Sequence, residues 1–481
     1  MPPTYTHNGC VCNEYIGFVH RHQKGTPEVK GYVGELLREA LNGLHDLACL
    51  EGNGLKFQLV SRWKVVNSYK GRHYKRYYKA LLELNERGLL DRDFWNRAFI
   101  KPDKEDKMVV EVANAKPPRL VQYMMATGAL EMGRYTHAAE TAIYALRDEY
   151  DTKIFGKGCN LHELAEDFVE KTGHFSQPVY LLLDASSFDA HVSSAVLKIV
   201  ASWYATTLPD KGEARFVRWL WSHTYTNIGM SVGGIRFKTQ GTRMSGHMDT
   251  GLGNSLIMFA MIKSFLKTVG INKHTMSVNG DDSVVIIERN DLRKAQNMSF
   301  FTDCGFKMKF EWTEEFSQME YCQCKPVETR YGWVMARSPD RILRRAGWST
   351  KRFGKKRVAD YLFSLGMGEC AINYGLPIGY ALGTKLKQTA IEASNRPVKM
   401  LPINRKKYIS YTRQKYWQSP EPAVVDDIAR NSYAEAWGIT PDDQIEIENR
   451  LKILLAPALD NSHQIWYHDN VDGLLIGSHP E

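Results

Sequence analysis

Met276-Ser277-Val278-Asn279-Gly280-Asp281-Asp282-Ser283-Val284-Val285-Ile286-Ile287 sets two adjacent carboxylates on a tight turn between two apolar arms. Asn-Gly is a favoured hairpin dipeptide because both residues tolerate positive φ, and the Val-Val-Ile-Ile that follows is β-branched strand material. The run therefore predicts strand, turn, strand, with Asp281 and Asp282 at the tip. Carboxylates on rigid backbone offer oxygen ligands to a hard cation such as magnesium, which keeps several waters and substrate phosphates and asks few ligands of the protein. A surface turn with two solvated aspartates is the plain alternative, and the tripeptide alone does not choose.

A second carboxylate site lies upstream in Pro178-Val179-Tyr180-Leu181-Leu182-Leu183-Asp184-Ala185-Ser186-Ser187-Phe188-Asp189. The continuous apolar run at 179–183 is the pattern of a strand buried on both faces, and it delivers Asp184 at its C-terminal end. Asp184 is then expected to face the Asp281-Asp282 turn from a neighbouring strand; the alternative is a helix N-cap. Two cations about 3.5 to 4 Å apart, bridged by such carboxylates, can activate a hydroxyl and stabilise the leaving oxygen of an in-line phosphoryl transfer. Asp189 lies past the strand end and is free for another task.

Between these stretches, Ser245-Gly246-His247-Met248-Asp249-Thr250-Gly251-Leu252-Gly253-Asn254-Ser255-Leu256-Ile257-Met258 reads as a flexible Gly-containing loop opening a mostly apolar helix. Thr250 and Asn254 are four apart, which puts both polar groups on one helical face. A core helix with two incidental polar positions is the alternative reading.

In this order the three elements resemble the palm of viral RNA-dependent RNA polymerases, whose motifs A, B and C read Asp-x4-Asp, Ser-Gly-x3-Thr-x3-Asn and Gly-Asp-Asp. The wording around Asp184, Ser245 and Asp281 is most similar to tombusviruses and tombus-like viruses. The resemblance implies an α+β right-hand polymerase: fingers, a palm of antiparallel sheet with helices, and a mostly helical thumb. It implies Mg2+ or Mn2+, two ions, on Asp184 and Asp281, with Asp282 a weaker or outer ligand. It also implies that Asp189 and Asn254, with Ser245 and Thr250 nearby, read the ribose 2′-hydroxyl. That group donates and accepts, and a carboxylate and an amide complement it from both sides.

The resemblance extends beyond the palm. Val65-Val66-Asn67-Ser68-Tyr69-Lys70-Gly71-Arg72-His73-Tyr74-Lys75-Arg76-Tyr77-Tyr78-Lys79-Ala80 looks like the family's basic, aromatic template segment. Its Arg72, Lys75 and Arg76 suit phosphates, and Tyr69 and its neighbours offer stacking faces; a solvated basic helix is the alternative. Lys116-Pro117-Pro118-Arg119-Leu120-Val121-Gln122 resembles motif F, which implies that Lys116 and Arg119 cover the nucleoside triphosphate. Tyr123-Met124 stands where relatives often carry Pro-Arg, which leaves the second arginine of that clamp open, with Lys101, Lys104 or Lys107 as substitutes. Gly305-Phe306-Lys307-Met308-Lys309-Phe310-Glu311 looks like motif D, and by position Lys309 matches the lysine held to protonate the departing pyrophosphate. Lys307 and Lys309 share one face of an alternating strand, so the sequence does not choose between them. Tyr321-Cys322-Gln323 resembles motif E, the primer grip, against an ordinary strand end. Pro2-Pro3-Thr4-Tyr5-Thr6-His7-Asn8 resembles the segment that opens the polymerase region of tombusvirus-like proteins, often made by readthrough of an upstream membrane-targeting protein.

The chain has 481 residues, 43% of them apolar, and a net charge of +9, which suits a large core and a polyanionic partner. Eight scattered cysteines with no Cys-x-x-Cys pair point to reduced thiols. His7, Cys10, Cys12, His20 and His22 do not have zinc-finger spacing and are read as no metal site. No apolar stretch reaches the ~18 residues needed to span a bilayer. The expected organisation is an N-terminal extension and fingers over 1–178, a palm over 178–326 with a fingers insertion at about 190–244, and a thumb over 327–481. In the thumb, Arg337, Arg341, Arg344 and Arg345 form a basic patch for product duplex, and 444–455 has helical periodicity. Trp333 and Trp348 fit priming platforms or, in preference, aromatic core.

The activity implied is template-directed RNA synthesis from NTPs with release of pyrophosphate, copying a positive-strand RNA virus genome. Implied partners are single-stranded template RNA and the duplex product, and further a viral membrane-targeting replication protein and host factors. Through these the chain is expected in membrane-associated replication complexes of the host cytoplasm. A reverse transcriptase shares the metal aspartates, but it normally carries an aromatic residue where this chain has Asn279. A non-enzymatic RNA-binding protein explains the charge and leaves the ordered carboxylates unexplained.

Overall fold

The structure is a computed structural model that describes residues 4–5, 7–22, 25–50, 54–103, 105–106, 117–345, 355–401, 416 and 421–453. Lys104, Lys107, Lys116 and Trp348 lie outside the described residues, as do the side chain of Arg345 and the end of the 444–455 periodicity.

The strands are β1 (Thr4–Tyr5), β2 (Asn96–Ile100), β3 (Glu105–Asp106), β4 (Leu120–Met124), β5 (Pro178–Ala185), β6 (Thr226–Ser231), β7 (Arg236–Gln240), β8 (His274–Asn279), β9 (Asp282–Glu288), β10 (Met308–Thr313), β11 (Cys324–Thr329) and β12 (Gly332–Arg337). The fold is α+β. Its central sheet has the order β10-β5-β9-β8 and is antiparallel throughout. β5 and β9 are its inner strands, which explains their unbroken apolar sequences. Val179, Leu181, Leu183, Val285 and Ile287 enter the main core, while Tyr180, Val284 and Ile286 pack on the other face with Leu164, Phe168 and Met335. Helix Thr250–Thr268 is buried on nearly every side, as a helix apolar all round must be.

A second sheet, β4-β2-β6-β7, joins strands from 96–124 to strands from 226–240; β2 and β6 run parallel and the other pairs antiparallel. Helix Val11–Arg21 lies against this sheet, with Phe18 packed among Ala98, Ile100, Leu120, Phe237 and Met244. β11 and β12 form a hairpin that packs on helix Leu161–Gly173. The position 326 expected to end the palm falls inside β11. Beyond it the described elements are helical: Pro339–Arg345, Lys355–Ile372, Gly379–Glu392, Asp427–Trp437 and Pro441–Ile453.

Buried charge is paired, as burial requires. Fully buried Lys171 donates to Thr152 Oγ1 at 2.5 Å and Thr275 Oγ1 at 3.2 Å, with Asp167 Oδ2 at 3.5 Å and Asp148 Oδ2 at 3.7 Å. Glu131 is likewise enclosed by Arg62 and Arg134.

Candidate active site

The carboxylates are placed by strand register. Asp184 pairs across β5 and β9 with Asp282, and on its other side with Lys309 of β10. Directly opposite residues of antiparallel strands share a face with Cβ atoms about 4.5–5.5 Å apart. Lys309 Nζ reaches Asp184 Oδ2 at 3.1 Å, and both side chains are at least half exposed. Lys307 precedes the strand and is not paired with Asp184, so Lys309 is the lysine that stands beside the carboxylates.

The turn is tighter than expected. Asn279 is the last residue of β8 and pairs with Asp282, so the two turn residues are Gly280 and Asp281, and Asp282, expected at the tip beside Asp281, is instead the first residue of β9. Gly280 takes the positive φ, 71°, at the first turn position, where glycine carries no Cβ penalty. Its N–H donates to Ser255 Oγ at 2.9 Å, which ties the hairpin tip to helix Thr250–Thr268.

Like charges crowd here. Burial, then the charges of Asp281 and Asp184, push Asp282 up to about 6, against a hydrogen bond with Cys322. Burial and the charge of Asp184 also raise Asp281, while Arg119 and Lys101 oppose that rise. Asp184, Asp281, Asp282, Lys309, Glu311, Glu320, Cys322 and Gln323 line one cavity of about 470 Å³. Among the described residues no three His, Cys, Asp or Glu side chains converge into a metal-holding group. The donor set nonetheless fits a divalent cation: every donor is a carboxylate oxygen, and a cation relieves the repulsion that raises Asp281 and Asp282.

A second cavity, about 480 Å³, adjoins the first through Asp281 and is lined by Asp189, Ser245, Thr250, Asn254 and Arg119. Ser187, at φ 53°, turns the chain after β5 so that Asp189 folds back toward it. Asn254 Nδ2 donates to Asp189 Oδ1 at 2.8 Å, and Asn254 Oδ1 is buried with no hydrogen-bond partner among the described residues. Burial raises Asp189, and the Asn254 hydrogen bond, Arg243 and Arg119 hold it down. The two hydroxyls are already donating: Ser245 Oγ to Leu120 O at 3.0 Å, and Thr250 Oγ1 to Met244 O at 2.8 Å.

The loop before the helix, expected to be flexible, is tied at several points. Buried Arg243 donates to Asp249 Oδ2 at 2.6 Å, Trp221 Nε1 donates to the same oxygen at 2.8 Å, and His247 Nε2 lies 2.6 Å from Asn96 Oδ1. Burial pushes His247 down to about 4 and keeps its ring neutral.

The remaining sequence candidates divide. Arg119 stands in the second cavity 3.4 Å from Asp103, and Lys101 lines the same wall. Gln323 reaches the carboxylate cavity from a turn in which both Cys322 and Gln323 have positive φ. In helix Gly71–Arg87, Arg72 and Lys75 are exposed, and the Arg76 guanidinium lies 5.0 Å from the Tyr123 ring centroid. Arg76 also lines a cavity of about 940 Å³ with Lys79, Arg92, Trp95, Arg97 and Lys238. Tyr69 is turned inward: it stacks on Tyr77 at 4.6 Å and its hydroxyl faces Met248 Sδ at 3.9 Å. The exposed aromatic group nearby is instead Tyr78, stacked on Tyr74 and edge-on to Trp63. Arg337 donates to Glu369 Oε2 at 2.5 Å, and Arg344 to Asp340 at 2.5 Å, so two members of the basic patch are ion-paired. Trp333 packs edge-on against Phe316 as core. Cys10 caps its helix by accepting from Asn13 N, and the His7 to His22 group forms no metal cluster among the described residues.

Sequence reasoning did not find Arg21 and Lys157, and weighed His22 only for zinc; all three line the cavity of Asp189 and Asn254. Nor did it find Cys322 as the partner of Asn279, whose Nδ2 lies 3.5 Å from Cys322 Sγ. These residues come from segments remote in sequence, and a lone basic residue carries no local signal.

A family model described as viral RNA dependent RNA polymerase matches residues 4–456. The chain is 29% identical over 390 residues to the RNA-directed RNA polymerase of Cymbidium ringspot virus, covering 80% of this chain and 46% of that protein. It is 28% identical over 410 residues to that of Tomato bushy stunt virus (strain Cherry), covering 80% and 46%. Against that of Tobacco necrosis virus (strain D) it is 27% identical over 393 residues, covering 79% and 53%. The chain spans about half the length of the curated relatives it matches.

Proposed function

The chain belongs to the viral RNA-dependent RNA polymerase family, and from that premise we propose that it copies an RNA template into RNA from nucleoside triphosphates. The observation that carries this reading is the register setting Asp184, Asp282 and Lys309 side by side, with Asp281 on the turn that adjoins the Asp189–Asn254 cavity. Under this reading the central sheet with its helices is the palm, the mixed sheet belongs to the fingers and the C-terminal helices form the thumb.

Asp184 and Asp281, with Asp282 beside them, would hold the divalent cations, two in number and magnesium or manganese in kind. Bound there, such ions supply Lewis-acid activation of the primer 3′-hydroxyl and neutralise charge on the triphosphate. The 3′-hydroxyl gives up its proton to solvent, its oxygen forms a bond to the α-phosphorus, the bond from that phosphorus to the bridging oxygen breaks, and pyrophosphate departs. In this reading Lys309 gives the departing pyrophosphate a proton. Asp189 accepts from the ribose 2′-hydroxyl, and Asn254 orients the Asp189 carboxylate through its Nδ2 hydrogen bond. Ser245 and Thr250 shape that wall. Arg119, with Lys101 beside it and Lys116 in the same segment, attracts the triphosphate.

The cavity bordered by Arg76, Lys79, Trp95 and Arg97 combines cations with an exposed ring, a composition that suits single-stranded template. Arg72 and Lys75 extend its charge, and Gln323 faces the primer end. The proposed setting is a viral replication complex on host cytoplasmic membranes, joined through a viral membrane-targeting protein and host factors. No described helix is long and apolar enough to cross a membrane.

The test is templated choice. On an RNA of defined sequence, the purified chain should add the ribonucleotide complementary to the next template base, and discriminate against the other three and the matching deoxynucleotide. Addition without regard to template would refute the reading, and equal use of deoxynucleotides would favour a reverse transcriptase.

A further inference from the structure

The C-terminal end of helix Val11–Arg21 grips both walls of the nucleotide cavity. Arg21 donates from Nε and Nη2 to Pro117 O, at 3.1 and 2.8 Å, two residues before Arg119. Gln122 Nε2 lies 2.6 Å from His22 Nε2, so the amide donates to the imidazole lone pair and the ring proton sits on Nδ1. The far end of the same amide lies 3.3 Å from Ser245 Oγ, as the weaker of two acceptors sharing the one hydroxyl proton with Leu120 O, and Gln122 O accepts from Gly246 N at 2.7 Å. Gly246 has no room for a side chain there: a Cβ would stand 2.6 Å from Gln122 O. One strand, β4, thus connects the helix end to the Ser245 loop, and Arg21 and His22 themselves line the cavity with Asp189 and Asn254.

The rest of the N-terminal segment holds the helix in that position. Glu14 accepts from Gly233 N with both oxygens, at 3.2 and 3.0 Å, and Gly17 lets the helix approach Pro118 O closely. β1 pairs with β3, ahead of the same segment.

We propose that Arg21 and His22 are positioning residues for nucleotide binding: the helix end clasps Pro117 and Gln122, and so fixes Arg119 and the Ser245 loop across the cavity from Asp189. The inference rests on the polymerase reading for its consequence, and on the hydrogen bonds alone for its geometry. Neither residue touches the carboxylates of β5 and β9, so losing the clasp should affect nucleotide capture more than chemistry.

The experiment compares Arg21→Gln and His22→Leu with the conservative Arg21→Lys and His22→Gln, each able to remake one hydrogen bond. Expected for the first two are a rise of about 10-fold in nucleotide KM, kcat within about threefold, and unchanged RNA affinity and melting temperature, with most of the KM loss recovered in the second two. Faster amide hydrogen exchange over 118–124 should accompany the KM change in Arg21→Gln. Unchanged KM and exchange in both disruptive variants would overturn the proposal. A rise of KM accompanied by loss of RNA affinity and a lower melting temperature, without conservative rescue, would also overturn it, since that marks a merely structural role. If the wild-type chain makes no RNA, the polymerase reading fails. The exchange measurement then still decides the clasp: faster exchange in Arg21→Gln upholds it and unchanged exchange refutes it.

Discussion

Replacing Asn254 with alanine removes the amide that donates to Asp189 Oδ1 at 2.8 Å and the buried oxygen beside it. Alanine is a strong helix former, so helix Thr250–Thr268 should persist and the effect should stay local. The lost bond joins an amide to a carboxylate already raised by burial, and Asn254 leads the groups that hold it down. A hydrogen bond to a charged group is worth about 1.5–3 kcal/mol, which converts to a loss of roughly 10- to 150-fold in kcat/KM for a ribonucleotide. The matching deoxynucleotide lacks the group that Asp189 and Asn254 address, so its efficiency should change little and the ribose preference should shrink by that factor. The assay is single-turnover addition of one ribonucleotide or its 2′-deoxy counterpart on the same primed template. Asp189→Ala combined with Asn254→Ala should cost much less than the sum of the two, because the residues act as a pair. A ribose preference within about twofold of wild type in Asn254→Ala, or full additivity in the double variant, would refute the reasoning.

Lys309→Leu should lower kcat by about 10²–10⁴ as a lost general acid, and cost at most about 1 kcal/mol of stability because its ion pair is exposed. Lys307→Leu should change kcat only a few-fold; the reverse order in a side-by-side rate measurement would contradict the placement of the two lysines. Asp282 titrates near 6 when folded, against about 3.9 for an ordinary aspartate, so between those values the folded state holds more protons and stability falls as pH rises. In chelator, Asp282→Asn should therefore raise the melting temperature at about pH 7.5 and lose that gain near pH 4; a lower melting temperature at the higher pH would contradict the crowding of like charge. Lys171→Met leaves Asp148 and Asp167 buried without their cation and should cost about 3–5 kcal/mol by denaturant titration, a change under about 1 kcal/mol counting against that network.

The elements that carry the carboxylates were legible because their signals are local. Val179 to Asp184 and Ser283 to Ile287 advertise buried strands by unbroken apolar sequence, and the apolar helix after Asp249 does the same. The exact turn was not legible: Asn279 and Gly280 both tolerate positive φ, and the choice of Gly280 and Asp281 follows from Asn279 being drawn into the β8 register. In the basic helix, Tyr77, Ala80 and Leu84 form the buried stripe and Tyr78 faces out. The flanking charges obscured that stripe and made Tyr69 look like a stacking face, when it packs on Tyr77. Arg337 read as part of a basic patch because Glu369, its partner, is 32 residues away. The contacts of Arg21 and His22 were invisible for the same reason on a larger scale, since they reach Pro117 and Gln122 across 96 and 100 residues. Long-range pairing of single polar side chains leaves no periodic trace in a sequence.

The most direct test of the central claim compares ribonucleotide incorporation by the wild-type chain and by Asp281→Ala, on an RNA template with magnesium or manganese, with RNA affinity measured in parallel. The account predicts synthesis by the wild type that chelator abolishes, and loss of synthesis in Asp281→Ala with RNA affinity retained. Equal synthesis by both proteins would contradict it, because the hairpin aspartate would then have no part in the chemistry.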